Sequence, residues 1–317
     1  MRRGPMTATA KRRDNAPAWW SPRRNGNRLW FAVIGAGALV VLGLFIALQA
    51  GGDGGSDASS RFASIYTFKT ADKHALTFDP SNPGRLVFGH HGGVMESTDG
   101  GRSWDDLVAQ ENFDGMNLAF DPADANTLYL AGHNLFAGSA DGGASWRSLE
   151  TNLPALDLHA FAASAATPGR FYAFAMGGGL FMSNNGVADW TALWPEAPMG
   201  THSIVEAGDQ TLLVGSADKG IQRSDDGGQT WTESRTGIDT GVIYTVKSDP
   251  QGTKVYAGTS RGLFTSNDRG LTWTATSLDD TQVTTVSVNP QDAEAVMAID
   301  TTGSLYRSTD GGSTWSP

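Results

Sequence analysis

A short motif that ends in tryptophan occurs six times along this chain of 317 residues. The motif is Ser-x-Asp-x-Gly-x-Thr/Ser-Trp, and its copies end at Trp104, Trp146, Trp190, Trp231, Trp273 and Trp315. Successive tryptophans are separated by 42, 44, 41, 42 and 42 residues. A tandem period of about 40 to 45 residues is typical of a four-stranded propeller blade. The spacing therefore predicts an all-β fold, a six-bladed β-propeller of four-stranded blades.

Within each repeat, four short apolar segments are separated by turn residues. In the first repeat these segments are HALTFDP, RLVFGH, VMES and SWDDL. Segments that are apolar on both sides, such as TLYLAG in the second repeat, suit blades that are covered on both faces by their neighbours. No amphipathic helical pattern longer than a turn or two is present, so residues 62–317 are predicted to form the propeller.

The last repeat ends shortly after Trp315 and lacks a complete fourth strand. The segment RFASIYTFKT, residues 61–70, is strand-like and precedes the first repeat. We predict that it completes the last blade, because pairing the two ends of the chain would close the ring and remove an open sheet edge.

The N-terminal part of the chain has the features of a membrane anchor. Residues 29–48, LWFAVIGAGALVVLGLFIAL, carry no charge, and 20 helical residues span about 30 Å, the thickness of a bilayer core. Residues 1–28 contain eight basic side chains and one acidic side chain, which places the N-terminus in the cytoplasm by the positive-inside rule. We predict a single-pass protein of the cell membrane with an extracytoplasmic propeller. A cleaved signal peptide is the alternative, although the apolar run is longer than usual and no Ala-x-Ala site follows it.

Charge is distributed unevenly along the predicted segments. The basic tail, residues 1–28, carries a net charge of +7; because the whole chain carries −10, the remainder carries −17. Residues 49–61, QAGGDGGSDASSR, have no apolar face and are predicted to be a flexible linker. An acidic propeller does not suit nucleic acid as a partner. The absence of cysteine excludes disulfides, thiolate nucleophiles and Cys-ligated zinc.

The repeated motif resembles the Asp-box, or BNR, repeat of sialidases, sortilin-type receptors, xyloglucan-degrading glycosidases and propeller factors that assist photosystem II assembly. The resemblance implies that each box forms the turn between the third and fourth strands of a blade. It also implies that the Asp is bonded to the turn backbone, the Gly permits a positive φ and the Trp packs between blades. The structural residues implied in this way are Asp99, Trp104, Asp141, Trp146, Asp226, Trp231, Asp268, Trp273, Asp310 and Trp315. The third copy departs from the pattern at Asn185 and Val187, which puts its turn in question.

The boxes are better interpreted as turns than as calcium sites. None has the alternating Asp-x-Asp-x-Asp-Gly spacing with a distal Glu that calcium loops use. In the proteins that the motif resembles, the boxes lie on the face opposite the substrate site. The resemblance therefore directs the search for a functional site to the other end of the blades.

Histidine and methionine residues are predicted to lie together on that other rim. The chain enters the first strand of a blade at the same end at which it leaves the second strand, so both positions share a rim. These positions hold His74, His90, His91, His133, His159, His202, Met116 and Met176. Imidazole and thioether groups suit copper. The alternative is that these side chains pack between blades, and the neighbours His90 and His91 should point in opposite directions.

A glycoside hydrolase would instead need two carboxylates that face each other across a pocket. Acidic candidates on the rim are Asp72, Asp114, Asp157, Asp218, Asp239, Asp279, Asp280 and Asp300. The resemblance to sialidases would further imply an arginine cluster, a tyrosine nucleophile and a Phe/Tyr-Arg-Ile-Pro motif, and the sequence lacks that motif. Trp194, outside any box, is either a sugar-stacking or a packing residue.

From the sequence we expect a membrane-anchored, extracytoplasmic binding or assembly module that acts through its His/Met-bearing rim. Its ligand would be a protein, a small molecule or a glycan. A sialidase-like or other exo-acting glycoside hydrolase is the first alternative. A protein that binds copper or another transition metal is the second.

Overall fold

A computed structural model describes residues 62–109, 113–208, 210–238 and 241–316. These residues form six four-stranded antiparallel sheets, which confirms the predicted all-β, six-bladed propeller. The segments predicted as tail, membrane helix and linker, residues 1–28, 29–48 and 49–61, lie outside the described residues. In the part of the chain that the structure describes, no helix is long and apolar enough to cross a membrane.

Each of the first five blades is a meander of four consecutive strands. The strands before and in the first two blades are β1 Tyr66–Thr67, β2 Ala75–Asp79, β3 Asn82–His90, β4 Gly93–Ser97, β5 Asp105–Ala109, β6 Asn117–Asp121, β7 Asp124–Gly132, β8 Leu135–Ser139 and β9 Arg147–Ser148. Blades three and four comprise β10 Leu158–Ala163, β11 Phe171–Ala175, β12 Gly179–Ser183, β13 Thr191–Trp194, β14 Thr201–Glu206, β15 Leu212–Ser216, β16 Gly220–Ser224 and β17 Thr232–Ser234. The last two blades comprise β18 Ile243–Ser248, β19 Val255–Thr259, β20 Gly262–Ser266, β21 Thr274–Asp279, β22 Val283–Asn289, β23 Asp292–Asp300 and β24 Ser304–Ser308.

The hydrophobic core lies between neighbouring blades. The first strands β2, β6, β10, β14, β18 and β22 contact one another around the ring, so they form its inner wall. One apolar cluster joins Leu213 of the fourth blade to Val246 and Val255 of the fifth, and the other clusters join adjacent blades in the same way. This arrangement explains why some strands are apolar on both faces. In β11, for example, all five residues are buried because neighbouring blades cover both faces of the sheet.

The ring is closed by pairing the two ends of the propeller. β1 pairs antiparallel with β24, with Tyr66 opposite Leu305, and the last sheet has the order β1-β24-β23-β22. This pairing confirms that the segment before the first repeat supplies the fourth strand of the last blade, through Tyr66–Thr67. Phe68 beyond β1 is 2% exposed and stacks on Phe88 of the first blade at a ring-centroid distance of 4.0 Å. The closing segment thus contacts the blades on both sides of the seam.

The first Asp box forms the tight turn between β4 and β5. Asp99 Oδ1 accepts hydrogen bonds from the backbone N–H of Ser103 at 2.9 Å and from the Ser97 hydroxyl at 2.8 Å. Gly101 has a φ of 90°, which a side chain would disfavour, and its carbonyl accepts the indole N–H of Trp104 at 3.0 Å. The boxes at Asp141, Asp226, Asp268 and Asp310 have the same Ser and Asp contacts, as predicted.

The box tryptophans pack across blade boundaries. Trp104 lies 4.9 Å from Phe68 of the closing segment, and Trp146 lies 5.7 Å from Phe113, which precedes the second blade. Trp231 stacks on Trp194 of the third blade at 4.4 Å with an interplanar angle of 11°. Trp194 is therefore a packing residue in this structure.

The third box keeps its turn with a reversed polar pair. Asn185 Nδ2 donates to Asp189 Oδ2 at 3.1 Å, whereas in the other boxes a Ser or Thr hydroxyl donates to the Asp. Trp190 still donates its indole N–H to the backbone of Val187, at 2.8 Å. Asn152 adds a further contact, since its side-chain oxygen accepts the Trp190 backbone N–H at 2.7 Å. The departure in sequence is thus compensated by a donor–acceptor exchange and by a residue of the preceding segment.

Candidate functional site

Five of the six histidines form a row on the rim opposite the boxes. We call His74, His91, His133, His159 and His202 the histidine row. Successive ring centroids along it are 4.5, 5.4, 5.1 and 5.8 Å apart. The row runs across the first four blades, because each histidine lies at the start of a first strand or just after a second strand. The strand topology therefore collects residues that are up to 128 positions apart in sequence.

Two of these histidines lie on β-bulges. The pairing of β10 with β11 shifts register between Leu158 and Ala160, which leaves His159 as the extra residue. The same irregularity in the fourth blade leaves His202 between Thr201 and Ser203. A bulge re-aims a side chain that simple strand alternation would direct elsewhere. The alternation of side chains along a regular strand therefore could not predict the orientation of His159 and His202.

Three aspartates bond to the row. Asp72 Oδ2 lies 2.8 Å from His91 Nδ1 and accepts the His91 backbone N–H at 3.1 Å. Asp114 Oδ2 lies 2.5 Å from His133 Nδ1 and accepts the His133 backbone N–H at 2.9 Å. Asp157 Oδ1 lies 3.1 Å from His159 Nε2. These carboxylates fix the orientation of the imidazole rings.

The first two Asp–His pairs share one spacing that the sequence analysis missed. In both pairs the aspartate precedes its histidine by 19 residues, because the same hairpin places them together in successive blades. In the third blade the corresponding position holds Met176, whose backbone N–H donates to the Asp157 carbonyl at 2.9 Å. Sequence reasoning treated the acids as hydrolase candidates and the histidines as ligand or metal candidates, and this shared spacing is the signal that connects the two groups.

At one end of the row, the His91 ring lies close to both His74 and Asp114. The Nε2 atoms of His74 and His91 are 3.0 Å apart, and His91 Nε2 is 3.6 Å from Asp114 Oδ1. In the neutral His91 ring, Asp72 accepts from Nδ1 and a lone pair is left on Nε2. Burial opposes protonation of His91, but the hydrogen bond and charge of Asp72 and the charge of Asp114 outweigh it and raise the pKa of the ring, so an ion at Nε2 competes with a proton. Ligand bonds of 2.0–2.1 Å around a first-row ion place neighbouring ligand atoms about 2.9–3.4 Å apart. The separations observed here are close to that range.

Asp114 Oδ1 is also an orphaned polar atom. It is buried and has no hydrogen-bond partner among the described residues. Leaving a buried carboxylate oxygen without a donor or cation costs free energy, and such atoms in native structures require an explanation. A cation beside His91 would supply the missing interaction.

Burial and charge set the protonation states of these groups. Burial lowers the pKa of His74 to about 3 and that of His202 to about 4, so both are neutral near pH 7. Burial opposes ionisation of Asp72, but the hydrogen bonds and charge of His91 outweigh it and lower its pKa to about 2. The pKa of Asp114 is likewise lowered, since its hydrogen bonds from His133 outweigh its burial. A neutral imidazole and ionised carboxylates are the forms that bind metal ions.

Three overlapping sets of potential ligands occur along the row. They are Asp72, His74 and His91; His91, Asp114 and His133; and His133, Asp157 and His159. In each set, one ligand atom per residue lies within 4.8 Å of the other two. No box aspartate belongs to such a set in the described ranges, in keeping with the structural role of the boxes.

The remaining predicted rim residues have other surroundings. His90 points away from His91: its ring lies 5.9 Å from that of Phe88, and its Nδ1 accepts the Gly92 backbone N–H at 3.0 Å. Met116 is half-buried, and Met176 packs against the apolar cluster between the third and fourth blades. The packing alternative therefore describes Met176 better than the ligand prediction does.

The other acidic candidates do not join the row. Asp300 is buried and accepts the hydroxyls of Tyr306 and Thr302, and Asp218 accepts the Ser216 hydroxyl. Asp279 and Asp280 are exposed at the end of β21. Asp239 lies outside the described residues. Among the predicted acids that the structure describes, Asp72, Asp114 and Asp157 bond to histidines of the row, and the charge of Asp218 acts on His202.

A small cavity lies among the inner strands beside the row. The cavity there is lined by residues of the first strands that include His74, Asn117, Phe161, His202 and Lys247, and its volume is about 30 Å³. Sites for organic ligands usually enclose about 300–1,000 Å³. The cavity admits an ion or a water molecule rather than a sugar ring.

Comparisons with known proteins agree with this fold. Residues 219–317 match the sequence model of the family described as Sortilin-Vps10: sortilin, neurotensin receptor 3. No curated protein sequence matches the chain.

Solved structures of similar fold include two kinds of propeller. The GH74 xyloglucanase from Xanthomonas campestris has a TM-score of 0.56 and 18% identity over 80% of this chain, which spans only 46% of the enzyme. YCF48 bound to D1 peptide has a TM-score of 0.51 and 16% identity over 77% of this chain and 95% of YCF48. YCF48 from Cyanidioschyzon merolae has a TM-score of 0.51 and 20% identity over 80% of this chain and 87% of its own. At these identities the likeness concerns the fold alone: the chain is a six-bladed β-propeller of Asp-box repeats.

Proposed function

We propose that this chain is a membrane-anchored, extracytoplasmic binding module that holds a divalent transition-metal ion on its histidine row. His74, His91 and Asp114 are the ligands, and Asp72 orients His91. The observation that carries the proposal is the position of His91 Nε2, which lies 3.0 Å from His74 Nε2 and 3.6 Å from the buried, unpartnered Oδ1 of Asp114.

The donor set favours Cu²⁺ or Zn²⁺. Imidazole suits both ions, and copper binds most tightly among the divalent first-row metals for a given nitrogen and oxygen site. Two imidazoles and one carboxylate also leave a coordination position for water or for a group from a partner. The geometry supports a divalent ion held by nitrogen and oxygen better than a thioether-ligated copper, because Met176 packs between blades.

Metal binding is tested by titrating the full-length protein, purified in detergent, with Cu²⁺ and with Zn²⁺. We expect micromolar or tighter binding that His74→Ala and Asp114→Asn weaken at least tenfold. Asp72→Asn should weaken binding by about 10- to 100-fold, the usual cost of removing a carboxylate that orients a ligand.

The matched control is His90→Ala, which removes an imidazole next to His91 but outside the histidine row. It should leave the affinity unchanged. The proposal fails if the protein binds neither ion in the micromolar range, or if His90→Ala weakens binding as much as His74→Ala does.

The anchor rests on the composition of residues 1–48. A 20-residue uncharged segment preceded by a net charge of +7 supports a single-pass helix with the N-terminus in the cytoplasm. Alkaline carbonate should leave the full-length chain in the membrane fraction, and protease added outside intact cells should digest the propeller. Release of a propeller that lacks residues 1–48 would indicate the cleaved signal peptide instead.

A peptide or glycan partner would dock on the same rim, through the open position of the ion. The solved complex of YCF48 with a peptide supports the idea that a propeller of this fold can serve as a binding or assembly module. This chain and YCF48 are similar in fold alone, so the likeness does not identify a partner. A partner should therefore be sought by binding experiments with the metal-loaded protein.

The described site favours binding over glycoside hydrolysis. A general acid for glycosidic oxygen needs a carboxyl group whose pKa is raised, whereas the pKa of Asp157 is lowered by its bond to His159 and those of Asp72 and Asp114 are lowered by their histidines. A panel of fluorogenic glycosides should therefore show no turnover. Turnover that Asp114→Asn abolishes would support the hydrolase.

A further inference from the structure

We infer that the histidine row contains a second cation site, formed by His133, Asp157 and His159, and that Asp114 couples it to the first. This inference rests on the proposed function, because both sites belong to one row. The second site shares no ligand with His74, His91 and Asp114, so both sites can be filled in the same molecule.

The three residues of the second site come from two neighbouring blades and meet at the rim. One ligand atom of each lies within 4.8 Å of the others. His133 follows β7 directly, while His159 occupies the bulge near the start of β10 in the next blade. The ring centroids of the two histidines are 5.1 Å apart and their planes are nearly perpendicular, at 88°. The site therefore lies across the boundary between the second and third blades.

Asp114 prepares His133 to act as a ligand of the second site. Its Oδ2 lies 2.5 Å from His133 Nδ1, so that nitrogen carries the proton of the neutral ring. The lone pair is then on Nε2, at the far side of the ring from Asp114. This is the carboxylate–histidine arrangement that orients metal-bound imidazoles in proteins.

His159 supplies an independent observation. Its ring is 6% exposed, and its Nδ1 is buried without a hydrogen-bond partner in the described ranges. The other nitrogen, Nε2, lies 3.1 Å from Asp157 Oδ1. In the described ranges, Asp114 and His159 are the ionisable side chains with an unpartnered buried atom, and one belongs to each site; in His159 the atom nearest Asp157 is Nε2, so Nε2 is the candidate ligand atom.

The two oxygens of Asp114 explain how the sites are coupled. Oδ1 faces His91 in the first site, and Oδ2 holds His133 for the second. An ion at the first site fixes this carboxylate, and the fixed carboxylate holds the His133 ring in the orientation that the second ion requires. Its negative charge also lies between the two cations and reduces their mutual repulsion.

The test is the stoichiometry of Zn²⁺ and of Cu²⁺ bound to the full-length protein in detergent, measured by native mass spectrometry and by calorimetric titration. We expect two ions per chain. His74→Ala and His159→Ala should each leave one ion, and Asp114→Asn should weaken both sites at least tenfold. His90→Ala should still bind two ions, and a thermal unfolding curve checks that each variant is folded.

The outcomes separate this inference from the proposed function. If no ion binds, the proposed function fails and the second site fails with it. One ion per chain, lost in His74→Ala and unaffected by His159→Ala, would overturn the second site and leave the first intact. Two ions of which Asp114→Asn removes only one would overturn the coupling.

Discussion

The two ends of the blades use aspartate in different ways. On the box face, both oxygens of Asp226 are occupied by groups from its own turn: Oδ1 accepts from Ser224, Gln229 and Thr230, and Oδ2 from the Thr230 hydroxyl. On the rim, Asp114 accepts only from His133, and its second oxygen is buried without a hydrogen-bond partner among the described residues.

This difference separates a structural residue from a candidate ligand. A carboxylate whose two oxygens both accept hydrogen bonds from within eight residues stabilises a turn and is held there by its own motif. A carboxylate held by a distant histidine on one side only can still bind a cation. The sequence motif that is easiest to see is therefore the one least available for chemistry.

Lowering the pH should reveal how much the box aspartates together contribute to the free energy of unfolding. We expect this to be the largest of the effects on stability. The pKa values of Asp226, Asp268 and Asp310 are lowered to about 2, in Asp226 and Asp310 mainly by hydrogen bonds from the turn and in Asp268 because such bonds outweigh desolvation. A lowered folded-state pKa gives stability that is present above the unfolded value of 3.8 and is lost as the pH falls to about 2.

The melting temperature should therefore fall steadily from pH 4 to pH 2. Asp226→Asn cannot take up the proton, so the free energy of unfolding should depend less steeply on pH in this variant. An unchanged slope would show that the box carboxylates do not contribute to acid sensitivity.

The closing seam joins the last blade to the first, and Phe68→Ala should have the next largest effect on stability. Phe68 is 2% exposed and contacts both Phe88 and Trp104. Truncating a buried phenylalanine to alanine costs about 3–5 kcal/mol. Chemical denaturation measures this loss, and deletion of residues 62–70 should lower the melting temperature at least as much. A stable variant would mean that the ring does not depend on this seam.

Removal of one box hydroxyl should have an intermediate effect. In Ser224→Ala the buried backbone N–H of Gly228 loses its acceptor, which is 2.8 Å away, and an unsatisfied buried donor costs about 1–3 kcal/mol. Ser148→Ala, an exposed change on β9, is the control and should be neutral. Metal affinity should be the same in both variants, since a change in affinity would contradict the separation of the two faces.

The third box offers a smaller and reversible test. Asn185→Asp places a second carboxylate beside Asp189 and should cost roughly 0.5–1 kcal/mol by repulsion near the surface. Adding Asp189→Ser restores the donor found in the other boxes and should recover the loss. Two additive losses in this double-mutant cycle would contradict the donor–acceptor exchange.

The rim should contribute least to stability in the absence of metal. His74→Ala removes a half-buried side chain that faces His91, and we expect less than about 1 kcal/mol of change in the metal-free free energy of unfolding. The wild type at 100 times the dissociation constant should gain about 2.7 kcal/mol from the ion, and the variant should lose this gain. A large metal-free loss would assign His74 to packing.

Much of the fold could be predicted because its determinants are local. The period counts the blades, and the Ser, Asp and Trp of each box contact one another within eight residues. The closing strand was also predictable, since a sheet with an open edge requires a partner and residues 61–70 were the unassigned strand. The rim was predictable as a location because the direction of each strand follows from the register of the boxes.

The grouping of the rim residues was not predictable to the same degree. Strand alternation separated His90 from His91, but it could not show that bulges at His159 and His202 re-aim those side chains. Strand alternation also could not show that Asp72 and Asp114 accept hydrogen bonds from histidines 19 residues further along the chain. Met176 occupied an equivalent position in sequence and yet packs in the core.

The sequence by itself determined the six-bladed architecture, the box turns and the rim on which the histidines lie, because hydrogen bonds and periodicity within one repeat are sufficient for these. Only the tertiary structure decided which histidines and aspartates meet and which carboxylate oxygen has no hydrogen-bond partner. The physical reason is that the Asp–His pairs depend on the register and bulges of each hairpin, while the contact of His91 with Asp114 and most contacts along the row cross blade boundaries, where distances depend on how whole sheets pack around the ring.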